Sequence, residues 1–253
     1  MEKIFKDQTA IISGGIGDIG FATAMALANR GAHIALGDKR PYRDAADSIK
    51  MIEAVGVRCQ YTTVDVSDAR AVQNWVNEVE NTMGLIRLVI ANAATATMGG
   101  IHEISPAQWA GELNVNLNGA FYLTQAATAA MVRQKQPGRV VFVGSWAATH
   151  AHQHMPAYSV SKAGMSMLCK CMALELAPCG ILVNEIAPGY VEAGLSGRLW
   201  SENSCSKERA VERVPTKMVI RAEEVAEKIV FLCDYNNKHM TGSTLLMDGG
   251  LSL

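Results

Sequence analysis

The stretch from Thr9 to Arg30 constrains the fold more tightly than any other part of the chain. Thr9-Ala10-Ile11-Ile12-Ser13 is a short apolar run, the pattern of a strand buried on both faces. It leads into Gly14-Gly15-Ile16-Gly17-Asp18-Ile19-Gly20, and a helical pattern follows from Phe21 to Arg30. Gly15, Gly17 and Gly20 fit G-x-G-x-x-G between a strand and a helix. Glycines there let the backbone come close to an anionic group. The helix start offers unpaired N–H groups and the positive end of its dipole to a pyrophosphate. A plain tight turn is the competing reading.

The alternation continues along the chain. His33–Gly37 reads as a second strand, with Asp38 directly after it. Then come a helix near Arg43–Val55, a strand near Arg58–Thr63, a helix near Ala69–Thr82 and the strand Leu88–Ala91. One long helix is predicted between Gln108 and Gln134, followed by the strand Arg139–Gly144. A helix through Tyr158 reaches Ala177, the strand Leu182–Ile186 ends at Pro188-Gly189, and an irregular stretch precedes a helix near Ala222–Cys233 and a last strand, Ser243–Met247. Strands alternating with helices imply parallel βαβ units, so the expected fold is α/β: a doubly wound parallel sheet of Rossmann type, in three α/β/α layers. With no linker, repeat or low-complexity tract, one domain is placed over residues 1–253. Asp38, about 20 residues past the loop, stands where an acid binds both hydroxyls of an adenosine ribose. A carboxylate there repels a 2′-phosphate, which favours NAD over NADP. Lys39 and Arg40 could pair with that phosphate, so NADP stays open.

Composition narrows the classes. The 253 residues are 49% apolar and 19% charged with a net charge of -1, which argues for a globular chain and against a nucleic-acid partner. No run of about 18 apolar residues is present, so no membrane span is expected. Met1 to Asp7 lacks an apolar signal-peptide core. The six cysteines (Cys59, Cys169, Cys171, Cys179, Cys205 and Cys233) form no C-x-x-C pair and read as reduced, mostly buried thiols of a cytoplasmic protein. Neither they nor His150, His152 and His154 make a metal site, because no carboxylate or cysteine partner lies near the histidines in sequence.

Tyr158 and Lys162 are four residues apart, on one face of a helix. A free phenol has a pKa of about 10. A neighbouring ammonium favours the phenolate and is expected to lower that value, making a general acid/base for an alcohol. A half-exposed helix face is the bland alternative for the pair alone.

Taken together, these residues resemble the short-chain dehydrogenase/reductase family over nearly the full length. Ser13 to Gly20 looks like its T-G-x-x-x-G-x-G loop, Asp65-Val66 like the pair that holds adenine, and Asn92-Ala93-Ala94 like its N-A-G step. Asn116 matches the active-site asparagine, Ser145 lies 13 residues before Tyr158, and Tyr158 with Lys162 forms Y-x-x-x-K. Pro188-Gly189 and Asp248-Gly249-Gly250 match the P-G and D-G-G steps. The resemblance implies that Ser13, Gly14, Gly15, Gly17, Asp18, Ile19, Gly20, Asp38, Asp65, Val66, Asn92, Pro188, Gly189 and the Val191 backbone hold the cofactor. It implies that Tyr158 is the acid/base, that Lys162 also bonds the nicotinamide ribose, that Ser145 donates to the substrate oxygen and that Asn116 holds a water that relays the proton.

Three positions depart from the pattern. Asp18 replaces a loop glycine and is expected to face away and cap the helix. Ala193 replaces a threonine that bonds the cofactor, and Ala94 replaces the glycine of N-A-G. On the substrate side, residues 146–157 resemble the pocket wall, with Ser145, Trp146, His152, His154, Met155 and Tyr158 as contacts. Residues 192–213 resemble a lid, with Leu195, Leu199 and Trp200 as an apolar wall; Arg198 and Arg209 read as anion contacts or, equally well, as a solvated helix face. The helices at Ala126–Met131 and Met165–Met172 look like those through which family members form homotetramers or homodimers. The activity implied is hydride transfer between NAD and a secondary alcohol of the sugar, polyol or hydroxy acid class. An NADP-linked carbonyl reductase, such as a 3-oxoacyl-thioester reductase, and a silent dinucleotide-binding scaffold are the alternatives.

Overall fold

A computed structural model of the chain describes residues 2–194, 197 and 204–253. Seven strands form one parallel sheet: β1 (Thr9–Ser13), β2 (His33–Asp38), β3 (Cys59–Thr63), β4 (Ile86–Ala91), β5 (Gly138–Val143), β6 (Ile181–Pro188) and β7 (Thr244–Met247). Their order is β3-β2-β1-β4-β5-β6-β7. The order reverses between β1 and β4, which opens a crevice at the carboxyl ends of those strands, the usual ligand position in such sheets.

The strands are apolar on both faces because helices cover both. On one side lie α1 (Asp18–Asn29), α2 (Ala46–Glu53) and α8 (Ala222–Cys233), packed on residues such as Ile12, Leu36 and Ile90. On the other lie α3 (Ala69–Met83), α5 (Gly119–Arg133) and α6 (Pro156–Leu176), packed on Ile11, Val89 and Phe142. Alternate residues of one strand thus feed two cores, and each buried aliphatic side chain contributes roughly 1.5–3 kcal/mol. Trp75 of α3 shows how close the fit is. A Cβ at Gly37 would stand 2.5 Å from its ring, so β2 needs a glycine there.

The long helix predicted between Gln108 and Gln134 is three elements. It starts earlier, as α4 (Pro106–Leu113), because Ser105 and Gln108 form a capping box ahead of Pro106. A π turn at Asn114–Asn118 then shifts the helical register before α5 begins. Asn116 lies within that turn and is fully buried, tied to a neighbouring segment of chain. The stretch read as irregular after Gly189 contains α7 (Ser204–Arg213). Ala126 to Met131, read as a source of surplus surface, lies mostly in the core. The apolar groups that α5 and α6 expose are Phe121, Val132, Val160, Met167 and Leu174. Of the cysteines, Cys169 and Cys233 are buried, whereas Cys171 is exposed. Among the described residues, no helix is long and apolar enough to cross a membrane.

Candidate active site

A cleft of about 510 Å³ lies along the carboxyl ends of β1, β2, β4, β5 and β6. Asp38 is at one end, and Ser145, Tyr158 and Lys162 are at the other.

The floor of the cleft is built by small residues that bring backbone segments close. Gly14 adopts φ 63°, and a Cβ at Gly20 would fall 2.2 Å from the Gly14 carbonyl oxygen. The glycine turn and the first turn of α1 are therefore in near contact, and only glycine serves at both places. Gly17 is the cap residue of α1, with no side chain on the first N–H groups of the helix. These groups remain available to an anion. Ser13 and Asn92 lace the two sides of the crevice together. Ser13 Oγ accepts from the N–H groups of Asn92 and Ala93 at 3.0 and 3.1 Å, and Asn92 Nδ2 donates to the Ser13 and Gly14 carbonyls at 3.0 and 3.1 Å. Gly14, Gly17, Ile19 and Asn92 line the cleft, while Ser13, Gly15 and Gly20 support it from behind.

Asp18 corrects the reading made of it. It is the first helical residue rather than the cap, because Gly17 takes the extended backbone of the cap position. It lines the cleft instead of facing away, and its Oδ2 accepts from the Gly194 N–H at 2.6 Å. The phosphate-type loop is thereby joined to the start of the segment expected to be the lid.

Asp38 is 9% exposed, and Arg40 grips both of its oxygens through Nε and Nη2, at 3.2 and 3.1 Å. Asp65 and Val66 line the cleft beside it. Asp65 closes its own turn by accepting from the Ser67 N–H at 2.9 Å, and this bond holds its carboxyl below the usual range. A Cβ at Gly119 would stand 2.8 Å from Val66, so α5 starts directly against that wall. At the far side, Pro188, Gly189 and Val191 line the cleft. Gly189 is packed on Asp248, 2.8 Å from where its Cβ would be, which explains the pairing of the P-G and D-G-G steps.

At the chemical end, Lys162 is 2% exposed and donates to the Val143 carbonyl at 2.7 Å, with its Nζ 5.6 Å from the centre of the Tyr158 ring. Ser145 follows β5, is 7% exposed and hydrogen-bonds the phenol. Burial pushes the Tyr158 pKa up. The Ser145 bond opposes this, and the charge of Glu112 adds to it. The lowering expected from the lysine neighbour is outweighed by burial. Desolvation of the phenolate is the larger effect, and the ammonium faces Val143 rather than the phenol oxygen. Burial also pulls Lys162 down to about 8, while Glu185 and Glu112 act to raise it.

The Asn116 side chain is spent inside the protein. Its Nδ2 donates to the Thr95 carbonyl and to Ser161 Oγ at 2.9 and 3.0 Å, and its Oδ1 accepts from the Thr95 N–H at 2.8 Å. Ser161 Oγ in turn donates to the Tyr158 carbonyl. Asn116 therefore fixes α6 against the segment after β4, and its amide has no N–H left for a water.

The expected substrate contacts divide. Ser145 and Tyr158 line the cleft. Trp146, His152, His154 and Met155 do not; Trp146 is instead the centre of an aromatic cluster, 6.2 Å from the His150 ring, 5.7 Å from His152 and 5.8 Å from Tyr190. Ala94 and Ala193 line the cleft, whereas the expected contacts Leu195, Arg198, Leu199 and Trp200 lie outside the described residues. Arg209 is exposed. Sequence reasoning missed Glu112 and Glu185, two buried acids whose charges act on Lys162. A signal was present for Glu185, an acid next to Asn184 in the mostly apolar run Ile181–Pro188. No group of three His, Cys, Asp or Glu able to hold a metal occurs among the described residues.

A glycine-walled cleft at the sheet's switch point, with an acid at one end and a Ser-Tyr-Lys set at the other, defines a dinucleotide-dependent oxidoreductase. The comparisons agree. A family model described as enoyl-(acyl carrier protein) reductase matches residues 15–252. The chain is 30% identical to 2,3-dihydro-2,3-dihydroxybenzoate dehydrogenase of Bacillus subtilis, covering 99% of this chain and 98% of that one. It is also 30% identical to the 3-oxoacyl-[acyl-carrier-protein] reductase FabG of Thermotoga maritima, covering 96% and 97%. A solved structure of NAD+-bound xylitol dehydrogenase superposes with a TM-score of 0.91 at 28% identity, covering 97% and 99%. The chain belongs to the short-chain dehydrogenase/reductase family and is an NAD(P)-dependent oxidoreductase.

Proposed function

We propose that the protein interconverts a secondary alcohol of the sugar, polyol or hydroxy acid class with its ketone, using NAD. The observation that carries this reading is the cleft itself, with Asp38 and the glycine turn at one end and Ser145, Tyr158 and Lys162 at the other. The residues fit a dinucleotide. The uncapped start of α1 and the close-packed glycines suit a pyrophosphate, and the Asp38 carboxylate suits ribose hydroxyls. Bound NAD would supply the carbon that accepts hydride.

The chain's own residues handle the proton. Ser145 Oγ donates to the substrate oxygen and orients it. Tyr158 takes the hydroxyl proton during oxidation and returns it during reduction, and the Lys162 ammonium favours the phenolate. Exposed Phe121, Met167 and Leu174 on α5 and α6 support self-association as a homotetramer or homodimer, which light scattering reads. The Arg40 contact on Asp38 favours keeping one second reading, in which NADP is also accepted.

The test is a panel of secondary alcohols with NAD, following reduced nicotinamide, beside a Tyr158→Phe control. The variant should lose on the order of 10²–10⁴ in kcat while binding NAD as before. Undiminished turnover by Tyr158→Phe would refute the assignment. Tight NAD binding by wild type with no turnover of any substrate would point to a silent scaffold.

A further inference from the structure

Helix α4 reads Pro-Ala-Gln-Trp-Ala-Gly-Glu-Leu, and its one buried residue is its one acid, Glu112. A carboxyl group that is 1% exposed needs a reason, since acids are almost never buried without partners. Glu112 is half-partnered. Its Oε2 accepts from the Thr97 N–H at 2.8 Å, and its buried Oε1 has no hydrogen-bond partner. A glutamine would tether Thr97 equally well and would carry no charge into the interior.

The location supplies the reason. Glu112 lies one helical turn before Asn116, at the edge of the π turn, and π turns are frequent at functional sites. Helix α4 packs on α6, which carries Tyr158 and Lys162. They are the titratable groups of α6 on which the Glu112 charge acts. The Lys162 charge acts back on Glu112. Burial raises the Glu112 pKa, so that its carboxyl can hold a proton nearer neutral pH than an exposed glutamate can.

We propose that Glu112 is the proton-holding residue behind the Tyr158–Lys162 pair, with its free Oε1 as the end of an internal relay. This rests on the dehydrogenase reading above. During oxidation the alcohol O–H breaks and the proton passes to Tyr158. Tyr158 passes it on through water, and a new O–H bond forms on Glu112 as the carboxylate becomes a carboxylic acid. The hydride and its electron pair leave separately to NAD. Reduction runs the same transfers backwards. Glu112 touches neither substrate nor cofactor, so it is a positioning residue for the proton rather than a catalytic one.

The experiment uses the full chain and Glu112→Gln, which keeps the Thr97 acceptor and the volume. Two readouts are taken: infrared difference spectra on NAD addition, and single-turnover proton release followed with a pH indicator. Wild type should show a protonated-carboxyl band that is lost when NAD binds, leaving the carboxylate that oxidation of the alcohol then protonates, and the band should be absent from Glu112→Gln. In wild type, proton release should lag hydride transfer; in the variant the lag should vanish. The variant's kcat should fall on the order of tenfold, less than for a directly acting group, with its NAD affinity unchanged. Wild-type infrared and proton-release behaviour in Glu112→Gln would overturn the proposal. If no alcohol or ketone turns over in wild type, the dehydrogenase reading fails on its own, and the infrared change on NAD binding still decides the role of Glu112. Should that variant not fold, isotope-labelled glutamate assigns the band to a glutamate, and Glu112→Asp should shift it.

Discussion

Replacing Gly144 with alanine should be among the most damaging single-methyl additions in this chain. Gly144 joins β5 to Ser145, and its N–H donates to the Ile186 carbonyl at 2.8 Å. A Cβ there would stand 1.9 Å from Glu185 Oε1 and 2.7 Å from Glu185 Cδ. Ordinary contact is about 3.5 Å, so the carboxyl would have to retreat by roughly 1.6 Å. It has nowhere to go. Glu185 is completely buried, with Oε1 held by Ser166 Oγ at 2.8 Å and Oε2 by Thr244 Oγ1 at 2.7 Å. Forcing a methyl into a filled core costs about 1–3 kcal/mol. Loosening hydrogen bonds to a buried charge adds about 1.5–3 kcal/mol. The sum, roughly 2.5–6 kcal/mol, is a large share of the 5–15 kcal/mol that holds a typical domain folded. Urea unfolding of the full chain should show that loss, and kcat should fall as Ser145 is displaced. The assignment to Glu185 is tested by a double-mutant cycle. Gly144→Ala made in a Glu185→Ala background should cost less than about 1 kcal/mol, because the opposing oxygen is gone. An equal cost in both backgrounds, or a loss below about 0.5 kcal/mol in the wild-type background, would refute the reasoning.

Arg40 bridges both Asp38 oxygens from a partly exposed position, and this interaction raises the Arg40 pKa. If Arg40 is also what would meet a 2′-phosphate, Arg40→Ala should lower kcat/KM for NADP by about tenfold and leave NAD use unchanged, as read from initial rates with both cofactors. Unchanged NADP use would remove Arg40 from the specificity argument. Lys162 gives a pH prediction with a definite sign. Its pKa is lowered from 10.5 to about 8 by burial, so below pH 8 the fold carries the cost of a buried ammonium, on the order of 3 kcal/mol. As pH rises from 8 towards 10.5 the unfolded chain binds more protons at this group, and the cost disappears. Lys162→Met should therefore lose stability relative to wild type across that window in paired urea melts. A pH-independent difference between the two proteins would contradict the assignment.

Much of this architecture could be read from the chain before any coordinates. The run Thr9–Ser13, the glycine turn and the repeated strand–helix alternation fix a parallel sheet because all three are local patterns. The Tyr158 and Lys162 pairing is local too, one turn of α6. What escaped depends on distance. The partner of Asp18 is Gly194, and no periodicity connects positions 176 residues apart. The π turn at Asn114–Asn118 leaves the apolar spacing of a helix almost unchanged, so it shows only through the bonds of Asn116 to Thr95.

The largest correction concerns the phenol, and it follows from what the local rule omits. A Tyr-Lys pair one turn apart fixes which groups meet, but both are also withdrawn from water, and desolvation raises Tyr158 while lowering Lys162. Left alone, such an ammonium shares the fate of other buried lysines and sheds its proton near neutral pH. Two acids from distant parts of the chain oppose that. Glu185 lies on β6, and Glu112 lies on α4. The pH window in which Lys162 stays charged is therefore set by residues outside the Y-x-x-x-K pattern. Removing either acid should move that window downwards without touching the motif.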